Sequence, residues 1–272
     1  MKRRRFLAST AAVALLTVGL TSACGGGQSA GDSEAAGDSE AAGKGTLTMA
    51  TSADYPPYES VDTTSGSEEI VGFDVDIARH IAKELGYELE ITNMDFNGLI
   101  PALQADRADF VMAGMTPTEE RKQNVDFSDI YYDAKQTIVF PKSNAITGPD
   151  DLGGKTVGVQ LGSIQEGLAK DLAEKTPGMK LSPLNRINEI VQELKSGRID
   201  AAIIEDTVAK GFLANNPELT SVEIPEEGPV GSAVAFPKDS ELTSEFNRVL
   251  GEMESSGMME ELINKWFGDG AK

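Results

Sequence analysis

Two side chains with distinctive chemistry occur once each, Cys24 and His80. One thiol excludes an intramolecular disulfide, a thiolate zinc site and an iron–sulfur cluster. One imidazole argues against a histidine-based triad or a multi-histidine metal centre. His80 sits opposite the apolar stripe of its helix, as a surface histidine does. Charged groups meet at two further points. Arg121 lies in Glu119-Glu120-Arg121-Lys122, and Glu205 adjoins Asp206. A guanidinium can grip a carboxylate through two parallel hydrogen bonds, and a carboxylate can hold an ammonium. The plainer readings are a solvated helix start for Arg121, a helix cap for Asp206 and a core position for Phe96. Across all 272 residues, 44 acidic side chains face 24 Lys plus Arg, a formal charge of −20. That balance opposes binding nucleic acid by phosphate neutralisation. No metal and no cofactor is expected.

The chain begins with Lys2-Arg3-Arg4-Arg5, an apolar run from Phe6 to Leu20, and Thr21-Ser22-Ala23-Cys24. A basic start, a short apolar stretch and small residues before a cut site make an export signal over 1–23. The run is short for a membrane span. Gly25 to Gly43 contains Gly-Asp-Ser-Glu-Ala-Ala twice, at Gly31 and Gly37, and no large apolar side chain. Such a segment cannot offset the entropy of ordering, so 24–45 reads as a tether. A spacer of about 20 such residues spans roughly 25 Å.

These groups need a scaffold, and hydrophobic residues at 40% suffice to bury a core. From Thr46 onward strand and helix signals alternate. Strands are expected at Thr46–Thr51, Glu88–Thr92, Phe110–Ala113, Thr137–Phe140, Thr156–Val159, Ala201–Ile204 and Val234–Phe236. One helix opens at Phe73 with Asp74 as its cap, buries Ile77, Ala78, Ile81, Ala82 and Leu85, and ends at Gly86. Others are expected at Leu99–Gln104, Asn188–Lys195, Glu241–Gly251 and Met258–Phe267. Repeated strand–helix–strand units make the fold α/β, with two parallel-rich sheets flanked by helices.

Several stretches carry a resemblance: Ala53 to Glu59, Gly72-Phe73-Asp74-Val75-Asp76, Asp95 to Gln104, Ala113 to Lys122, Val125 to Ser128, Gly158 to Ser163, Asp200 to Asp206, and Lys265-Trp266-Phe267. In this order they are similar to the amino-acid-binding family of bacterial extracytoplasmic solute-binding proteins, the receptors of ABC importers. Leu20-Thr21-Ser22-Ala23-Cys24 resembles a lipobox, with Thr21 where Leu is more usual. That resemblance implies a diacylated Cys24 and a protein held on the extracytoplasmic face of the cell membrane. Cleavage there removes four positive charges and takes the net charge from −20 to −24.

The family resemblance implies a two-lobed periplasmic-binding-protein fold of type II. Lobe 1 is expected over 46–131 plus 233–268 and lobe 2 over 136–228, with a two-strand hinge about 132–135 and 228–232. A free amino acid carries a carboxylate and an ammonium, and each must meet a partner when buried. Arg121 matches the family position that takes the carboxylate, completed by Gly114 and Thr116 and, from lobe 2, by Ser163. Asp206 matches the position that takes the ammonium. Tyr55 and Phe96 match the aromatic pair around the ligand side chain. Gln160 lies where a polar contact is common, Ser52 stands where many relatives have Asp, and Glu205 adds negative charge. No basic residue is visible for an acidic side chain, so Gln, Arg or Lys is the favoured ligand. The expected partners are that free amino acid, an ABC permease with its ATPase, and the membrane through the lipid; the chain itself is expected to be a monomer. Two alternatives stand beside this non-enzymatic receptor. One is an extracytoplasmic dehydratase-like enzyme on the same fold, with Glu205 as its acid or base. The other is an amino-acid sensor without a transporter.

Overall fold

The computed structural model describes residues 43–64, 66–225 and 231–268. The expected signal segment, Cys24, the expected tether up to residue 42 and residues 228–230 of the expected hinge lie outside the described residues.

The chain runs through β1 (Thr46–Thr51), β2 (Asp54–Tyr55), β3 (Glu59–Asp62), β4 (Glu69–Val71) and α1 (Phe73–Leu85). It continues with β5 (Glu88–Asn93), α2 (Leu99–Gln104), β6 (Phe110–Val111), α3 (Glu119–Lys122) and β7 (Asp126–Tyr132). A second group follows: β8 (Gln136–Pro141), β9 (Thr156–Gln160), α4 (Ile164–Lys175), β10 (Lys180–Leu184), α5 (Ile187–Ser196), β11 (Ala201–Glu205), α6 (Asp206–Asn215) and β12 (Leu219–Glu223). The chain then returns as β13 (Ser232–Phe236), α7 (Leu242–Ser256) and α8 (Met258–Phe267).

The strands form two five-stranded sheets, ordered β5-β1-β6-β13-β7 and β10-β9-β11-β8-β12. In the first, β1 pairs in parallel with β5 and β6, with Met49 opposite both Ile91 and Phe110. In the second, β9 pairs in parallel with β10 and β11. Each sheet is completed by antiparallel pairing, β13 with β6 and β7, and β8 with β11 and β12. The sheets are therefore parallel-rich and mixed. The strand that returns from the other lobe enters against the direction of its neighbours. Strands β2, β3 and β4 form a third, small sheet.

Helix α1 buries Ile77, Ala78, Ile81, Ala82 and Leu85, the face its spacing dictates, and Gly86 closes it at φ +81°. Asp74 does not cap this helix: Gly72 holds that position, and the Asp74 side chain turns into the core. There it accepts hydrogen bonds from Gly114 N at 3.0 Å and the Tyr131 hydroxyl at 2.9 Å. The sequence reading gave no range for helices α4 and α6, and the strands it missed are short or at sheet edges. Strand β10 contains Pro183, which has no N–H to donate and is tolerated in an edge strand because no neighbour on the open side needs that donor. Strand β12 lies at the opposite edge of the same sheet. Among the described residues no helix is long and apolar enough to cross a membrane.

Candidate functional site

Both sheets present the ends of strands to a shared cleft, the usual place for ligands in open α/β sheets. After β6 the chain passes through Gly114 and Thr116 to the short helix α3. The Thr118 hydroxyl accepts from Arg121 N at 3.2 Å and starts that helix. This brings Arg121 inward, where it is 8% exposed. Its guanidinium donates to Thr116 O at 2.8 Å and across the cleft to Gly162 O at 2.9 Å. It also lies over the Phe96 ring, 5.4 Å from the centroid. Burial pushes Arg121 down to about 10, which leaves it charged at neutral pH. Gly114 adopts φ +55°, and a Cβ there would lie 3.2 Å from the Tyr55 ring, so both conformation and space require glycine.

The second sheet supplies the facing wall. Gln160 ends β9, and a tight turn carries Gly162 to within van der Waals reach of Asn97. Ser163 caps α4: its Oγ accepts from Glu166 N at 3.2 Å and donates to Gln160 O at 2.7 Å. Glu205 ends β11 and is 5% exposed. The Thr207 hydroxyl donates to it at 2.5 Å. Burial pushes Glu205 up to about 7; the Thr207 bond opposes that rise, and the neighbouring Asp206 and Asp74 add to it. Behind the floor, Asp74 is likewise pushed up to about 7 by burial. Among the described residues none of the ion pairs reaches Glu205 or Asp74.

One cavity gathers Tyr55, Phe96, Gly114, Thr116 and Arg121 from the first lobe with Gln160, Ser163 and Glu205 from the second. It also takes in Ile164 and Gln165, the opening residues of α4, which the sequence reading did not single out. Their signal was their place after the Gly162-Ser163 turn, at a helix N-terminus whose first N–H groups lack partners along the helix. That end favours an anion.

Two expected site residues stand elsewhere. Asp206 is outside the cavity lining. It opens α6 and turns to the crossing between the lobes, accepting from Lys135 N at 2.9 Å while Asp206 N donates to Lys135 O at 2.9 Å. Successive residues at a strand end point to opposite sides, so Glu205 facing the cleft sends Asp206 away. The sequence signal for this was position: Glu205 is the carboxyl end of its strand. Ser52 is 1% exposed and donates to Asp54 Oδ1 at 2.8 Å, below the cavity rather than in it. Among the described residues no cluster of His, Cys, Asp and Glu could hold a metal ion.

Among the described residues the site thus offers a buried cation and a buried carboxyl on facing walls, with the rings of Tyr55 and Phe96 in the same lining. The family described as bacterial extracellular solute-binding proteins, family 3, matches residues 47–269. An arginine-binding extracellular protein of Bacillus subtilis is 52% identical over 82% of this chain and 87% of its own length. A putative ABC transporter arginine-binding protein of Escherichia coli is 34% identical over 82% of this chain and 90% of its own length. Among solved structures, an ancestral arginine-binding protein bound to arginine superposes with a TM-score of 0.77 at 44% identity, covering 83% of this chain and 99% of that one. An ancestral arginine-binding protein bound to glutamine gives 0.76 at 43% identity, with coverage of 83% and 99%.

Proposed function

Because the chain belongs to the bacterial extracellular solute-binding proteins of family 3, we propose that it captures free arginine, with lysine and glutamine as weaker alternatives, and delivers it to an ABC import permease and its ATPase. It is an extracytoplasmic binding protein and not an enzyme. The observation that carries the ligand class is the pairing of Arg121 and Glu205 in one buried cavity, each from a different lobe. A zwitterion bridging them places its carboxylate at Arg121 and the α4 N-terminus, and its ammonium at Glu205. Each charge of the ligand's α-carbon end then meets an opposite one, the condition for burying charge at tolerable cost. Tyr55 and Phe96 pack the ligand's stem, and Gln160 and Gln165 offer amide oxygens to a guanidinium. Among the described residues no second Arg or Lys lines the cavity, which disfavours glutamate and aspartate.

Lobes over 46–131 plus 233–268 and over 136–228 close by hinge motion about 132–135 and 228–232. The ligand favours closure by as much as it prefers the closed state. A thermal-shift screen of the 20 amino acids, with mass spectrometry of protein purified without dialysis, tests the ligand. Arginine should give the largest upward shift and be found co-purified. Stabilisation by Glu and Asp alone would overturn the assignment.

Anchoring through a diacylated Cys24 belongs to the same reading. One acyl chain gives only marginal membrane binding, whereas two hold a protein stably. The Cys24→Ala protein should therefore move from the membrane pellet to the soluble fraction on cell fractionation. Retention in the pellet would mean another anchor.

A further inference from the structure

Asp54 and Asp95 of the first lobe reach the second without lining the cavity. Asp54, in β2, is 4% exposed. Its Oδ2 accepts from Ile187 N, the first residue of α5, at 2.6 Å. Its Oδ1 accepts the Ser52 hydroxyl at 2.8 Å, which fixes the carboxylate's orientation. Helix α5 has no side-chain cap of its own serving Ile187 N, and a helix leaves its first N–H groups without partners. A carboxylate from the opposite lobe fills that role, with the charge that a helix N-terminus favours. Arg186, one residue before the helix, pairs with Asp95 of the first lobe at 2.7 Å. Both of its partners are partly exposed, so this ion pair contributes little. The buried Asp54 bond dominates the bridge.

We propose that Asp54 is the closure latch, a positioning residue that holds the second lobe shut by capping α5 and never touches the ligand. The Asp54–Ile187 bond joins residues 133 positions apart, on the two bodies that hinge motion separates. Opening replaces it with water, so it stabilises the closed state alone. Its contribution therefore appears in how long a ligand stays, not in how fast it arrives. Ser52 aims the latch and has no direct role in recognition. The inference rests on the hinge-closing reading of the same site and adds a residue to it.

The test uses the full mature chain carrying Asp54→Ala or Asp54→Asn. Stopped-flow kinetics with arginine give the two rate constants, and small-angle X-ray scattering of the ligand-free proteins gives the lobe separation. For Asp54→Ala the dissociation rate should rise about tenfold, the worth of one hydrogen bond to a charged group, with the association rate unchanged. Asp54→Asn keeps an oxygen for Ile187 N and should fall between Ala and wild type; it also carries the test if the Ala protein fails to fold. Ligand-free Asp54→Ala should scatter as a more open particle than wild type. An unchanged dissociation rate overturns the latch, as does a loss of affinity confined to the association rate, which would place Asp54 on the ligand. Should no amino acid bind the wild-type protein, the receptor reading falls, and the scattering comparison alone decides the latch: a more open variant supports it, and identical curves sink it.

Discussion

Arg121→Ala should reduce arginine affinity by about a hundredfold to a thousandfold while leaving the melting temperature nearly unchanged. The magnitude follows from the geometry. The guanidinium is buried, fixed by two carbonyls at 2.8 and 2.9 Å, and is the only cationic side chain lining the cavity among the described residues. Removing one partner of a desolvated charge pair costs about 2–5 kcal/mol, because the ligand carboxylate is then buried unpaired. The variant also loses the bond to Gly162 O across the cleft, so closure weakens with recognition. Arg121→Lys should recover only part of the affinity, since a point charge cannot supply the fork of two donors. Isothermal titration calorimetry reads both variants. Wild-type affinity in Arg121→Ala would remove this residue from the site.

Glu205→Gln and Asp206→Asn should separate cleanly. The first should weaken arginine binding by about a hundredfold, as it withdraws the charge opposite the ammonium. The second should change affinity by about twofold or less, because an asparagine oxygen can still accept from Lys135 N and the side chain is outside the cavity. The opposite result would restore Asp206 to the role that the sequence motif implied. The pH profile gives an independent reading. Burial raises Glu205 to about 7, so below that pH the free protein carries a proton there. An ammonium requires the ionised form, and binding must expel the proton. Affinity should therefore fall as pH drops below about 7, by up to about tenfold per unit, and level off above it. The Glu205→Gln protein should lose that slope while binding weakly throughout. Calorimetry of the wild type at pH 6 in buffers of different ionisation enthalpy should show proton release on binding.

Much of the scaffold was legible because it is local. The face of α1 followed from the spacing of Ile77, Ala78, Ile81, Ala82 and Leu85, and its end from Gly86. Strand β1 and helices α2 and α8 carry apolar patterns strong enough to place their ends at the bounds read from sequence. Strands β10 and β12 escaped notice because edge strands bury one face only partly and tolerate Pro183. The short hairpin of β2 to β4 lacks the length for a period to register. Asp74 misled for a related reason. An aspartate near a helix start looks like a cap, and only packing reveals that it is buried behind Gly114.

The candidate site divides along the same line. One Cys, one His and a large acidic excess, with alternating strand and helix signals, bounded the chemistry and the fold class without coordinates. The motifs around Tyr55, Phe96, Thr116, Arg121 and Ser163 nominated residues on both sides of a cleft, since motif spacing is a property of the chain. Whether Glu205 or Asp206 faces inward was decided by the pleat at the end of β11, a direction fixed only when the strand docks in its sheet. The partner of Asp54 was decided by the approach of two lobes whose contacting residues are 133 positions apart. Periodicity reports the neighbours a residue has within its own element. Contacts between separately folded bodies depend on how those bodies meet, and that arrangement exists only in three dimensions.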